Sequence, residues 1–311
     1  MQLSVYFGDE LARYGFGEGH PFGPDRIHAF WKETTRQGLD RKVHVAAPVS
    51  CTDKDILRFH TPEYVEKVRK RSIAGTGYLD YGDTPAFQGV YEAASYVVGS
   101  DLHGLEQAIG GEHPRVFVPI AGLHHARRGT AAGFCVFNDI GIVVETLRDR
   151  FGIARVAYVD IDAHHGDGVF YSYEEDADLT IADIHEDGRF LYPGTGFADE
   201  TGKGVAAGTK LNIPMPPGSD DEAFHAVWPR VEEFVRSGKP EFVLFQAGAD
   251  SIAGDPITHM AYSPAAHGHA AASLCSIADE FCDGRILAMG GGGYNRTNLA
   301  LGWNEVVRAM L

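Results

Sequence analysis

Residues 155–168 read Arg155-Val156-Ala157-Tyr158-Val159-Asp160-Ile161-Asp162-Ala163-His164-His165-Gly166-Asp167-Gly168. The first part, Arg155 to Asp160, has the β-branched and aromatic content of a strand buried on both faces. From Asp160 onward, five ionisable side chains crowd into eight positions. A strand that turns polar only at its carboxyl end is the pattern of an open α/β sheet, where ligands bind beyond the carboxyl ends of the strands. In extended backbone alternate side chains share a face, so Asp162 and His164 can point at one ion with Asp160 behind them.

Working outward, similar short apolar runs recur at Leu3 to Phe7, Val43 to Ala47, Val116 to Ile120, Leu179 to Asp183, Lys210 to Ile213, Phe242 to Gln246 and Arg285 to Met289. Stretches with helical spacing lie between them: Pro24 to Gln37, Pro62 to Arg71, Ala86 to Ile109, Asn138 to Asp149, Asp220 to Arg236, Pro264 to Phe281 and Thr297 to Met310. This alternation predicts an α/β fold, an open, mostly parallel sheet of about eight strands with helices on both faces. No Pro/Ser linker, fixed-period repeat or low-complexity segment divides the chain. Residues 1–311 therefore read as one catalytic domain, although 311 residues exceed the usual domain size of roughly 100 to 200.

The composition, 44% hydrophobic and 23% charged, is that of a globular protein with material for a large core. A formal net charge of −16 argues against a nucleic-acid binder, which needs a basic face to displace counterions. It suits a cationic substrate, or it serves solubility alone. Cys51, Cys135, Cys275 and Cys282 are scattered without a C-x-x-C pair, as expected of reduced thiols in a reducing compartment. The stretch Met1 to Leu11 lacks the apolar core of a secretory leader, and no run approaches the roughly 20 apolar residues of a membrane span. The expectation is a soluble, cytoplasmic protein.

A third ligand for the ion is offered by Gly248-Ala249-Asp250-Ser251, which follows the strand run ending at Gln246. Two carboxylates and one imidazole, with a fourth position open, are the donors of a catalytic Zn2+. Gly122-Leu123-His124-His125-Ala126 puts two histidines at another strand end, where a neutral imidazole can take a proton from water and return it to a departing amine. Asp160 and Asp167 remain to fix their tautomers, one apiece. Four consecutive glycines, Gly290 to Gly293, precede Tyr294. The Lys-Ser/Thr of a phosphate-binding loop is missing, and the alternative is a mobile or closely approached backbone that delivers the tyrosine hydroxyl to an oxyanion. Asn138 can cap the helix that follows Gly133-Phe134-Cys135. Phe134 reads equally as core or as pocket wall, and Cys135 as a small buried residue.

Taken together these motifs resemble the histone deacetylase superfamily, which includes acetylpolyamine amidohydrolases and acetoin-utilisation proteins and shares its fold with arginases. The likeness runs from Gly19-His20-Pro21-Phe22-Gly23-Pro24-Asp25-Arg26 through His124-His125, Gly133-Phe134-Cys135, Asp160 to Gly168, Pro193-Gly194-Thr195-Gly196 and Gly248 to Pro256 to Gly290-Asn295. It implies that Asp162, His164 and Asp250 hold zinc, that His124 and His125 are the acid/base pair backed by Asp160 and Asp167, and that Tyr294 polarises the acyl carbonyl. His125 is preferred as the principal acid/base, with His124 tuning charge. The resemblance also implies a substrate channel flanked by Phe134 and Tyr192 and an acidic rim residue at Asp83. The Gly122 carbonyl and the Arg26 side chain would lie near the acetate end. A monovalent cation, K+ or Na+, would sit among Asp160, Asp162, His164, Asp183 and Ile184, with Asp183 standing where relatives often have serine.

The implied reaction is hydrolysis of a linear amide, with the leaving amine left open. Acyl-lysine in proteins or peptides is favoured by Asp83. Acetylpolyamines would be attracted by an acidic rim of Asp80, Asp83, Glu186 and Asp187, but Ile257 stands after Gly254-Asp255-Pro256, where a specialised polyamine deacetylase can place a glutamate. A non-catalytic acyl-lysine-binding scaffold would be signalled by loss of a ligand or of Tyr294, and none is lost. The compact chain is expected to be a monomer or simple homo-oligomer.

Overall fold

A computed structural model describes residues 2–17 and 19–311. Eight strands make one sheet: β1 (Leu3–Tyr6), β2 (His44–Ala46), β3 (Arg115–Val118), β4 (Val156–Asp160), β5 (Leu179–Glu186), β6 (Lys210–Met215), β7 (Phe242–Gln246) and β8 (Ile286–Met289). The strand order is β2-β1-β3-β8-β7-β4-β5-β6, and every neighbouring pair is parallel. Parallel neighbours need crossovers, and except between β5 and β6, where the link holds only a 3-10 turn at Gly204–Ala206, helices supply them. These are α1 (Asp9–Ala12), α2 (Arg26–Arg36), α3 (Asp53–Ile56), α4 (Pro62–Ala74), α5 (Val90–Gly110), α6 (Asp139–Phe151), α7 (Asp167–Ser172), α8 (Asp221–Ser237), α9 (Pro264–Phe281) and α10 (Arg296–Met310). Among the described residues no helix is long and apolar enough to cross a membrane.

Burial explains why the strands lack alternation. Every residue of β1, β4, β5, β7 and β8 is buried, so both faces of the central sheet are covered and both want apolar side chains. Only β2, at an edge, exposes residues. Where polar side chains do occur they sit at the carboxyl ends. Asp160 of β4 lies between Gln246 of β7 and Asp183 of β5 in register. The loops that follow β3, β8, β7 and β4 leave four adjacent strands, so residues far apart in sequence emerge side by side.

Helix boundaries follow local chemistry. Ser263 and Thr61 cap α9 and α4, each with proline at the first turn, and Asn295 caps α10 by accepting from Thr297 N and Asn298 N. α5 begins at Val90, later than its apolar spacing implies, because Gly89 takes a left-handed conformation at φ 90°. β5 runs on to Glu186, three residues past the expected Asp183. The short α1, α3 and α7 were not anticipated, since four to six residues carry no helical period.

At the start of α6, Asn138 is fully buried. Its Oδ1 accepts from Gly141 N at 2.8 Å and its Nδ2 donates to Ala126 O at 2.7 Å, tying the helix to the loop after β3. Asn138→Ala removes the cap and leaves a buried carbonyl without its donor. It is expected to lower unfolding free energy by about 2 kcal/mol, measured by chemical denaturation; an unchanged midpoint and slope would show that the tie carries no load.

Candidate active site

Asp162 and His164 leave the end of β4, and Asp250 sits on a single 3-10 turn, Ala249–Ser251, after β7. One ligand-capable atom from each lies within 4.8 Å of the others, and all three residues are buried. His164 Nδ1 faces both carboxylates, 3.0 Å from Asp162 Oδ1 and 3.1 Å from Asp250 Oδ2. Burial alone would lower the His164 pKa, but hydrogen bonds to Asp162 and Asp250 lift it to about 10. Asp250 is pushed up to about 7, by burial and then by the charge of Asp162. Two buried carboxylates this close call for positive charge between them. Two oxygens and one imidazole nitrogen fit a zinc ion, with room for a further ligand. Both carboxylates are also oriented from behind. Asp162 Oδ2 accepts from Gln246 Nε2 at 2.8 Å and Gly292 N at 2.9 Å, and Asp250 Oδ1 accepts from Ala163 N at 2.9 Å.

The two histidines project from the turn after β3. His124 Nδ1 meets Asp160 Oδ2 at 2.8 Å, His125 Nδ1 meets Asp167 Oδ1 at 2.7 Å, and the two Nε2 atoms lie 3.1 Å apart. All four residues are buried. Their environments push the imidazoles in opposite directions. Burial would lower His124, yet Asp160 and then Asp162 raise it to about 9. Burial and the neighbouring charge of His124 bring His125 down to about 4. The opposite shifts favour a charged His124 beside a neutral His125, an arrangement in which His124 Nε2–H donates to His125 Nε2. His125 Nδ1–H is then directed at Asp167.

The glycine-rich segment is closely approached. A Cβ at Gly290 would lie 1.8 Å from Pro119 O, and one at Gly292 would lie 2.1 Å from Asp250 Oδ2. Arg26, fully buried, supports the loop from below, donating from Nε to Gly293 O at 2.9 Å and from Nη2 to Gly291 O at 2.6 Å. Burial lowers its pKa to about 10, which leaves it charged at neutral pH. Its Nη1 is buried without a partner among the described residues. Tyr294 N donates to Asp255 Oδ2 at 2.8 Å. An internal cavity of about 20 Å³, bordered by Gly122, His124, His125, Asp162, His164 and Tyr294 among others, has room for about one water molecule.

Outside it, Phe134 stands edge-on to Tyr294 at 5.9 Å and Tyr192 edge-on to His125 at 5.1 Å, centroid to centroid. Phe134 takes a left-handed φ of 69°, uncommon for a side chain of its size. Tyr14 OH, which donates to Phe134 O at 2.7 Å, and Thr84 Oγ1, which accepts from Phe134 N at 3.1 Å, hold it there. Asp83 is exposed and borders an outer groove of about 540 Å³ with Asp80, Tyr81, Arg127 and Tyr192. Ile257 is half-buried, its N donating to Asp255 Oδ1 at 3.1 Å.

The expected acidic rim is corrected by the structure. Glu186 is buried and accepts from both His259 N and His259 Nδ1 at 2.8 Å. Asp187 is buried and paired with Arg189, and Asp80 Oδ1 accepts from Gly82 N, Asp83 N and Thr84 N. Of the four carboxylates, only that of Asp83 is left exposed. Behind the site, Asp160 and Asp183 are register partners, and Ile184 follows within β5. Both Asp183 oxygens are engaged, by His185 Nδ1 at 2.6 Å and Gly166 N at 2.9 Å.

The histone deacetylase domain family matches residues 20–310. The chain belongs to the histone deacetylase family. It is 32% identical to the acetoin utilization protein AcuC of Bacillus subtilis (strain 168), covering 99% of this chain and 80% of that one. It is 31% identical to histone deacetylase clr6 of Schizosaccharomyces pombe, covering 97% of this chain and 75% of that one. The crystal structure of the HDA15 HD domain superposes with a TM-score of 0.91 at 25% identity, over 100% of this chain and 89% of that one.

Several residues around this candidate site escape a reading of the sequence. Gln246 bridges Asp162 Oδ2, Gly248 N at 2.7 Å and Gly122 O at 3.2 Å; its signal is a polar residue closing an otherwise apolar strand run. Arg127 Nη2 donates to Asp167 Oδ2 at 2.9 Å, taking the oxygen that His125 leaves free. Tyr158 OH donates to Asp160 Oδ2. Asp139 accepts from Gly122 N and Leu123 N at 2.8 and 2.9 Å. The close approach at Gly292 gives a direct test of the cluster. Gly292→Ala would drive a methyl group against Asp250 and Asp162, and the folded variant is expected to retain less than about a tenth of the parent's bound zinc at equal zinc activity. Full stoichiometry by metal analysis would place the metal elsewhere.

Proposed function

We propose that this deacetylase-family chain is a zinc-dependent amidohydrolase that removes acetyl groups from the side-chain amine of acetyl-lysine in proteins or peptides. The observation that carries the reading is the buried convergence of Asp162, His164 and Asp250 beside a histidine pair whose members are each backed by an aspartate of their own. Asp162, His164 and Asp250 would hold the ion, which when bound supplies Lewis-acid polarisation of the acyl carbonyl and a more acidic water.

The chain's own groups then divide the work. His125, with Nδ1–H on Asp167, would turn its Nε2 lone pair from His124 to the attacking water, accept that water's proton and pass it to the leaving amine. His124, kept cationic by Asp160, contributes charge. The Tyr294 hydroxyl, whose pKa burial holds well above its ordinary value, stays protonated and donates to the developing oxyanion. The inner cavity bordered by Gly122 and Tyr294 would widen beyond its one-water volume to take the acetyl group, with Arg26 behind it on the Gly291 and Gly293 carbonyls. Phe134 and Tyr192 flank the aliphatic stem of the substrate. Asp160, Asp183 and Ile184, with Asp162 and His164, form the neighbourhood for a K+ or Na+ ion, part of whose charge His185 already supplies.

Peptide is favoured over polyamine by the rim. Glu186 and Asp187 are spent on His259 and Arg189, and Ile257 offers no carboxylate. The groove instead pairs an acceptor, Asp83, with a donor, Arg127. A peptide backbone presents both complements, whereas an acetylpolyamine has a single carbonyl, the one to be hydrolysed. A small acetylated-amine deacetylase is the second reading, supported by the net charge of −16. A non-catalytic binding scaffold has no observation in its favour, since every reacting group is present.

Zinc-loaded enzyme is expected to cleave an acetyl-lysine peptide faster than N-acetylputrescine or N-acetylspermidine at matched concentrations. The reverse order would reassign the substrate, and no turnover on any of the three would sink the hydrolase reading. Tyr294→Phe should keep zinc and lose roughly 100-fold in kcat; parent-like turnover would remove Tyr294 from the oxyanion role. Asp83→Ala should raise KM for the peptide more than for the small amides. Equal changes on both would show that Asp83 does not grip the backbone.

A further inference from the structure

Behind the histidine turn lies a carboxyl group that the reaction does not use. Asp101, in the middle of α5, is fully buried, and neither of its oxygens meets a hydrogen-bond donor among the described residues. What it meets is another buried carboxyl, that of Asp139 at the start of α6. Tyr6 of β1 also reaches Asp101, and its hydroxyl is engaged with His103 Nδ1 at 2.7 Å. Among the described residues no cation is ion-paired with either carboxyl. Two carboxylates cannot bond to each other, because both only accept; a single proton between them turns repulsion into a hydrogen bond.

Asp139 cannot readily be the one that gives up its acceptor role. Its Oδ2 accepts from Gly122 N at 2.8 Å, and its Oδ1 accepts from Leu123 N at 2.9 Å and Ile140 N at 2.8 Å. The Gly122 and Leu123 amides belong to the turn, with Gly122 at φ 98°, from which His124 and His125 project. We propose that Asp101 is a positioning residue: as a neutral acid it donates its proton to the Asp139 carboxylate, and Asp139 so fixed holds the turn that presents His124 and His125. The kinetic half of this inference rests on the deacetylase reading above; the proton itself does not.

Burial, and then Asp139, hold the Asp101 pKa well above the ordinary carboxylate range. In the unfolded chain the same group ionises near about 3.9. Between the two values the folded protein keeps a proton that the unfolded chain has lost, so the stability present at low pH declines as pH rises through that window. Asparagine at this position donates an N–H to Asp139 without needing a proton.

The test compares Asp101→Ala and Asp101→Asn in zinc-loaded enzyme. Alanine is expected to lower kcat by roughly tenfold or more, with KM within about threefold and zinc content unaltered, and asparagine to restore kcat to within about threefold of the parent. Melting temperature from about pH 5 to about pH 9 should fall more steeply for the parent than for Asp101→Asn. Overlapping slopes, or an asparagine variant as slow as alanine, overturn the proposal. If the alanine variant does not fold, the melting comparison on the isosteric variant still decides. Absence of turnover in the parent itself would defeat the hydrolase reading and leave the melting result standing as the measure of the proton.

Discussion

Two carboxylates, Asp162 and Asp250, are held against one imidazole where water cannot screen them, and the surrounding fold is arranged to keep them there. Left alone they would drive each other apart or take up protons. Gln246 and the amides of Gly292 and Ala163 satisfy their remaining lone pairs, which fixes where the two inner oxygens point. The glycines packed against these groups have no alternative there. Any larger residue at Gly292 or Gly248 would place its first carbon 2.1 Å from a carboxylate oxygen. The constraint thus spreads from electrostatics into sequence composition, and the conformational entropy of four consecutive glycines is offset by the site they permit.

The same economy of charge separates the two histidines. They are chain neighbours, equally buried, and each has an aspartate on Nδ1. They differ in what lies beyond. Asp160 stands beside Asp162 and Asp183, a concentration of negative charge that favours a cation beside it, whereas Asp167 is already paired with Arg127. His124 therefore carries the positive charge, and His125, next to that charge, remains neutral.

Much of the fold was legible because both faces of the central sheet are covered. Buried strands such as Val156–Asp160 and Phe242–Gln246 had to be apolar throughout, and the abrupt change at Asp160 marked a carboxyl end. Asp162, His164 and Asp250 lie together because β4 and β7 are neighbours, and the pair His124 and His125 reaches them from β3, which β8 and β7 separate from β4. Less visible were residues whose role depends on a partner distant in the chain. Arg127 reads as a surface charge until Asp167 is beside it, and Asp101 as a helix residue until Asp139 faces it. The rim was misread for the same reason: Glu186 and Asp187 look free in sequence, and His259, 73 positions from Glu186, is what occupies the first of them.

The strand order carries a consequence for how the chain comes into being. β7 and β8 are the last strands in chain order, yet they lie between β3 and β4 at the centre of the sheet. As the chain leaves the ribosome, its first six strands can assemble only as two separate patches, one from β1 to β3 and the other from β4 to β6. Each patch has an unpaired inner edge waiting for strands not yet made. The two halves of the reactive centre, histidines on one patch and Asp162 with His164 on the other, stay apart until the central pair is inserted. Assembly of the site is thereby deferred until β7 and β8 have been made, and the waiting edges are the stage at which a folding helper would have most to protect.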